Sequence, residues 1–495
     1  MKKILYIAFL VALTTSGCNK FLDVKPASQI DRSDLFKTEQ GFEEALNGIY
    51  TLCGGSSLYG GNLTFNNDIL SQNYQFNDVI LQQTAGFNYT LPSVVSKNSG
   101  IWSSAYRAIA NCNYLLAAID DQKVQFSAGK RELIKGETLA LRAYLHFDLL
   151  RMFAPAYITG ASQTAIPYVT QVTTKSTPNS TVQQVIDQLL TDLKSAKTLL
   201  KSDPIVSSAY IVGYPPVGNP PSNTSTELAS PELFMQNRRQ RLNYYAVCGE
   251  LARVYLYSGD KVNALSNAQE VIKSAKFPFT KQDDFFASDP QKRDHIFYPE
   301  LVASWFIDNA NEVNLVQNLY TVSNPTYSGT VDQVSDIYEL GGDGADDWRY
   351  KQWFLSTASV TGGPNRAVLQ KYVENAAPLV NLHPLVAPAI RLSEMYYIAA
   401  EASFDSSPSA ALDYYNTIRT KRGIGNNLTA VPSKDDFINR LLAEARKEFY
   451  GENQIFYMYK RLNHAVVVSS TQTVLPSNSI FVFPKPQDEL TYRTN

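Results

Sequence analysis

The chain predicts a mainly α-helical protein in which about four helix pairs stack into a scaffold and a loop-rich half with few short strands carries the rest. Three observations lead there. Residues 127–155 read as a helix that is apolar over most of its circumference. A two-helix pattern over 243–275 returns more weakly over 391–423. Between those two copies, residues 278–390 lose helical periodicity and hold three of the four tryptophans. A helix coated with apolar side chains on most sides must be covered on most sides, so the first stretch is central. Stacked pairs bury a continuous core that no single pair could bury alone.

Taken in order, Lys2 and Lys3 precede an apolar run, Ile4–Leu13, too short to cross a bilayer as a helix. Thr15-Ser16-Gly17-Cys18 follows and looks like a bacterial lipobox, giving a signal peptide over 1–17 with Cys18 as the lipidated first residue of the mature chain. A polar tether over 18–37 then leads to a single domain over 38–495. The formal charge is −2, or −4 once Lys2 and Lys3 are removed, so nothing favours a nucleic-acid partner. Membrane contact is expected through the lipid anchor alone. Cys53, Cys112 and Cys248 are widely spaced and odd in number, and read as small buried apolar residues rather than disulfides or metal ligands.

Thr38–Leu52 is amphipathic, with Phe42, Leu46, Ile49 and Tyr50 on one side. From Cys53 to Gly100 the helical period is lost among Gly, Asn, Ser and aromatics, and loops this long usually serve function. Trp102–Ile119 is helical again. In the central helix Ser127 is a candidate N-cap and Pro155 the stop. Its internal Glu137, Arg142 and Asp148 are expected to pair with neighbouring helices, because an unpaired buried charge costs several kcal/mol. Thr181–Lys201 completes the second pair, so the pairs fall at about 38–120, 127–201, 239–275 and 388–423. The 243–275 unit is similar to a tetratricopeptide repeat: Ala252 lets the helices touch, Gly259 makes the turn, and Ala264 and Ala268 are small contacts.

Several runs, in order, resemble the SusD/RagB family of bacterial outer-membrane nutrient-binding lipoproteins. They include KGETLALRAYLHFDLLRMF in the central helix, CNKFLDVKP after the signal, and WSSAYRAIANCNYLL. Ala165–Val169 resembles a short family strand, Glu300–Phe306 a second, Asp347-Trp348-Arg349 its DxR run, and RLSEMYYIAAEA its second repeat. Leu441–Leu462 and Ile480–Leu490 resemble its closing helix pair and motif. Ala443-Glu444-Ala445-Arg446 lacks the family's consecutive ERR, which puts part of an ion-pair network in doubt. By resemblance, Arg349 is a scaffold ion-pair residue.

The supply of catalytic groups is thin. His146, His295, His383 and His464 lie at no helical spacing from one another, and His146 reads as a packed core residue. Asp343, Asp346 and Asp347 could supply paired carboxylates or calcium ligands, but they miss the DxDxDG spacing and a solvated loop is the plainer reading. No cofactor, metal or catalytic residue is expected.

The resemblance implies a protein that captures an oligosaccharide, or less often a peptide, and passes it to a SusC-like TonB-dependent transporter. Sugar rings stack on aromatics while their hydroxyls need polar edges, and the 59–102 loop offers that mixture; the resemblance implies a ligand face built from this loop and the later insertion. The candidate ligand residues are Asp68, Asn73, Tyr74, Trp102, Tyr327, Tyr338, Trp348 and Trp353. Trp102 reads equally as platform or core, and Trp305 as core. The competing classes are a surface glycoside hydrolase and a repeat scaffold without a small ligand. A joint loss of Trp102 and Tyr74 is expected to weaken binding without unfolding the chain.

Overall fold

In the computed structural model the residues described are 32–120, 123–173, 175–216, 225–359 and 362–492. The lipobox, Cys18 and most of the tether lie outside them. Among the described residues, ten helices outside the insertion frame the fold and are numbered in chain order; the insertion adds a further ten-residue helix, Ala310–Leu319. Helix α1 (Glu39–Gly54) starts where Thr38 Oγ1 accepts from the Gly41 N–H, and it buries Phe42, Leu46, Ile49 and Cys53. Helix α2 (Pro92–Ala118) begins ten residues before Trp102, because Pro92 at its first turn needs no N–H partner. The early loop is therefore shorter than expected, and it also holds a short helix, Val79–Ala85.

Helix α3 (Lys130–Phe153) is the buried centre: of its residues only Arg131, Glu132 and Lys135 are not buried. Its N-cap is Gly129, at φ 77°, rather than Ser127, whose hydroxyl instead bonds Glu39 at 3.1 Å. The expected stop holds, with Ala154 extended before Pro155. Helices α4 (Val182–Leu199), α5 (Tyr244–Tyr257) and α6 (Lys261–Lys273) follow, and then α7 (Leu392–Ser403) and α8 (Pro408–Lys421). A reciprocal Thr181–Gln184 capping box opens α4. Each helix from α1 to α8 packs on the next, so the four pairs form one continuous stack. Ala252, Ala264 and Ala268 are fully buried and Gly259 turns at φ 83°, as the repeat pattern requires. Helices α9 (Lys434–Glu448) and α10 (Ile455–Leu462) close the structure.

The insertion carries β1 (Leu301–Phe306), β2 (Ser328–Thr330), β3 (Phe354–Thr357), β4 (Arg366–Leu369) and β5 (Val386–Arg391). Strand β1 pairs antiparallel with β5, and β2, β4 and β3 form an antiparallel sheet with β4 in the middle. A two-residue hairpin pair, β6 (Val466–Val467) and β7 (Thr473–Val474), lies near the C-terminus. Ala165–Val169 is not a strand. Pro167 has no N–H, the Val169 N–H donates to His146 Nε2, and only a lone bridge joins Thr164 to Thr181.

Charges inside the stack are paired. Glu137 accepts from Arg238 at 2.6 Å and Arg241 at 3.0 Å, and Arg142 grips Asp192 on α4 with two bonds of 2.7 and 2.8 Å. Asp148 departs from the expectation: its ionic partner, Arg151, is on the same helix, while Tyr59 donates to it at 2.6 Å. The ion-pair network expected to be thinned is dense. Arg422 bridges Glu300 (2.6 Å) and Glu448 (2.7 Å), and Arg349 reaches Asp347, Glu444 and Glu448. Arg391 and Arg419, from outside α9, supply the charge that a second arginine beside Glu444 would have brought.

Candidate ligand-binding face

The early loop and the insertion, far apart in sequence, are laced together. The Gln75 N–H donates to Ser328 O at 3.0 Å, and Arg366 on β4 bonds Ser328 Oγ (3.0 Å), Ser328 O (2.6 Å) and Gln75 O. From the other side Arg446 on α9 donates to Gln72 O and Asn73 Oδ1, both at 2.7 Å, and Tyr450 donates to Asn73 O at 2.6 Å. Residues 74–77 then alternate: Tyr74 and Phe76 point into the core while Gln75 and Asn77 face out. Asp78 caps the Val79–Ala85 helix by accepting from the Leu81 N–H, leaving Val79 and Ile80 more than half exposed.

Two recesses that share Gln75 in their walls result. A cleft of about 310 Å³ lies between residues 75–81, Asn324–Pro325–Thr326, Ala358, Ser359 and Arg366. A groove of about 700 Å³ continues from Gln75 past Thr330, Asp332, Gln333, Asp336 and Glu339 to Asn439, Arg446, His464 and the β6–β7 hairpin. Both fall in the size range of small-molecule sites. The outward groups are amides, hydroxyls and carboxylates beside the apolar edges of Phe76, Leu81, Pro325 and Ile337. Such walls can accept and donate hydrogen bonds to a polyhydroxylated solute while covering its apolar faces. His464 is held by Asn439 Oδ1 and Ala465 O, both at 2.8 Å. No group of three or more His, Cys, Asp or Glu that could hold a metal occurs among the described residues.

The eight sequence-selected residues end up mostly beneath this face. Asp68 is fully buried and accepts from Tyr74 Oη (2.5 Å), Gly451 N–H (3.1 Å) and Asn453 N–H (2.8 Å); burial lifts its carboxyl to about 6 against those bonds. Asn73 is buried under Arg446. Tyr327 packs edge-on against Tyr74 and Phe76, and Tyr338 spends its hydroxyl on Lys447 O. Trp353 is fully buried, its indole N–H on His295 O at 2.7 Å. Trp102 is core, packed on Tyr106 and Phe153. Trp348, half-buried, lies against Phe286 and over Gly423, where a Cβ would meet its indole at 2.2 Å. Only Tyr74 touches the groove, at 6 % exposure. None of the other seven lines the cleft or the groove. Trp305 is core as expected, stacked on Tyr59.

Gln75, Asn324, Asp332, Asp336 and Arg366 line the two recesses and are not among the eight candidates. The two-residue alternation around Tyr74 was the available signal: with aromatics turned inward, the polar residues between them must face outward.

The family described as "Starch-binding associating with outer membrane" matches residues 20–210, and the one described as "SusD family" matches residues 244–479. The chain belongs to the SusD/RagB family. Its fold is that of solved SusD superfamily members. One from Bacteroides vulgatus superposes with a TM-score of 0.70 at 21% identity, covering 93% of this chain and 98% of that one. Another, from Bacteroides thetaiotaomicron, gives 0.68 at 21%, covering 92% and 97%. A SusD-like carbohydrate binding protein from Bacteroides vulgatus gives 0.70 at 18%, covering 92% and 96%. Among curated relatives, SusD-like protein P25 of Formosa agariphila is 22% identical over 164 residues; the match spans 32% of this chain and 31% of that protein. Within this SusD/RagB chain His146 is a packed core residue, stacked on Tyr168. Burial lowers its imidazole to about 3. Among the described residues no helix is long and apolar enough to cross a membrane.

Proposed function

We propose that this SusD/RagB protein binds an oligosaccharide, or less often a peptide, in the cleft and groove. We further propose that it delivers the solute unaltered to a SusC-like TonB-dependent transporter, anchored through Cys18 to the outside of the outer membrane. One observation carries the binding reading. Residues 72–81 and 324–366 are fastened together by the Gln75 N–H on Ser328 O and by Arg366 on Gln75 O, Arg446 holds Gln72 from α9, and the outward side chains of the two segments share one polar-walled recess. The family description and the carbohydrate binding protein of like fold support sugar as the solute. The helix stack supplies a rigid back to that face, and its outer surface is offered to the transporter.

Native electrophoresis through polysaccharide gels tests the binding reading. Wild-type protein is retarded by at least one polysaccharide, and the Gln75→Ala/Asn324→Ala double variant runs freely in the same gel while keeping the wild-type melting temperature. Equal retardation of both proteins would remove the cleft from the account. Chromatography of the recovered glycan should show unchanged chain length; shortened products would favour the hydrolase. Co-purification of a large barrel from native membranes, lost in Cys18→Ser, checks the anchor and the partner.

A further inference from the structure

Resting on the reading of the cleft and groove as a sugar site, we infer that this face takes uncharged or amine-bearing glycans and rejects those carrying carboxylate or sulfate groups. The charges that line the two recesses are Asp78, Asp332, Asp336 and Glu339 against Arg366 and Arg446. Four against two leaves −2; Lys447, behind Glu339 at 2.5 Å, reduces this to −1.

Placement matters more than the sum. All four carboxylates are exposed, whereas Arg446 is only 7 % exposed and Arg366 is half-buried. Asp332 and Asp336 stand one turn apart on the Val331–Ile337 helix and make no ion pair within the described residues. Both arginines turn their Nε and Nη2 donors inward, Arg446 onto Gln72 and Asn73 and Arg366 onto Ser328 and Gln75. A guanidinium grips a carboxylate or sulfate by two parallel N–H bonds, along its Nε–Nη2 edge or its Nη1–Nη2 edge. Arg366 spends Nε and both Nη2 hydrogens on the loop and Arg446 spends its Nε–Nη2 edge, so an anion is left only the Nη1–Nη2 edge of an arginine 7 % exposed, against four exposed carboxylates. The remaining wall is rich in acceptors, which suits hydroxyl and ammonium donors. A ligand carboxylate would stand among like charges, a repulsion that selects against it.

The test is an array of oligosaccharides of matched length, probed with the full mature protein at low salt. Its arms are neutral gluco-, manno- and xylo-oligosaccharides, oligoglucosamines, and uronate or sulfated oligomers. Every ligand retained should fall in the first two arms, with uronates at least about tenfold weaker, equivalent to about 1.4 kcal/mol. The exposed Asp332→Asn/Asp336→Asn variant should lose several-fold on oligoglucosamine and narrow the gap to uronates by a similar factor. A uronate or sulfated oligomer bound as tightly as the best neutral one overturns the inference while leaving sugar binding in place. An unchanged uronate gap in the double variant overturns it too, since these carboxylates would not then be its source. Silence in all three arms overturns the sugar-binding reading itself.

Discussion

The interior of the helix stack and the face above residues 72–81 handle charge in opposite ways. Inside, carboxylates meet guanidiniums: Glu448 accepts from Arg349 and Arg422 and ion-pairs with Arg391, all buried, and Glu137 accepts from Arg238 and Arg241. On the face, Asp332 and Asp336 are exposed and make no ion pair among the described residues, and the nearby guanidiniums are turned inward to hold backbone carbonyls. Charge burial inside demands partners, because a lone ion there would lose its hydration with nothing to replace it. Outside, water carries that load until a solute arrives. The same residue types serve as rigid joints when enclosed and stay open to solvent when exposed.

The comparison breaks most visibly at Glu448. Replacing it with Ala takes one carboxylate from three buried arginines at once, so a loss of about 3–5 kcal/mol is expected by denaturant titration. Trp102→Ala follows, at about 3–5 kcal/mol by the same titration, since the indole is packed on Phe153 and Tyr106 rather than offered to a ligand. Glu448→Ala should be the larger of the two.

Acid sharpens the contrast next. Burial pushes the Glu444 carboxyl up, but Arg349, Lys447 and Arg419 more than offset this and hold it near 2. His146 is held near 3 chiefly by burial. Both folded values lie below the ordinary ones, so both contributions are whole at high pH and decline with acid. The His146 share is lost between about 6.5 and 3, and the Glu444 share between about 4.5 and 2. Thermal melts across pH 7 to 3 should fall steadily, with His146→Phe flattening the upper part of the curve. The smallest effect on stability is at the face. Gln75→Ala and Asp332→Asn should each stay within about 0.5 kcal/mol of wild type while changing ligand retention.

The helix stack was legible because its constraints are local. Apolar spacing marked α3, and small residues at Ala252, Ala264 and Ala268 marked a repeat whose helices touch. Pro155 and Gly259 punctuated it. Even the missing arginine beside Glu444 left the network intact, because ion pairs are fixed by proximity in space and Arg391, Arg419 and Arg422 come from other segments. The face was legible in place but not in residue. That the early loop meets the insertion was anticipated. Which side chains face outward was not, because aromatic content says nothing of direction. Tyr327, Tyr338 and Trp353 are large enough to fill the space between helices and irregular backbone, and burial of that area outweighs display. Ser127 failed as a cap for a comparable reason: a tertiary partner, Glu39, took its hydroxyl.

Hydrogen–deuterium exchange, with and without a saturating oligosaccharide drawn from the array, tests the central claim most directly. Slowed exchange concentrated in residues 72–85 and 324–337, with the α1–α8 stack unchanged, is the expected result. Protection centred on the outer surface of that stack, with those two segments unaffected, would contradict the assignment of the ligand to the cleft.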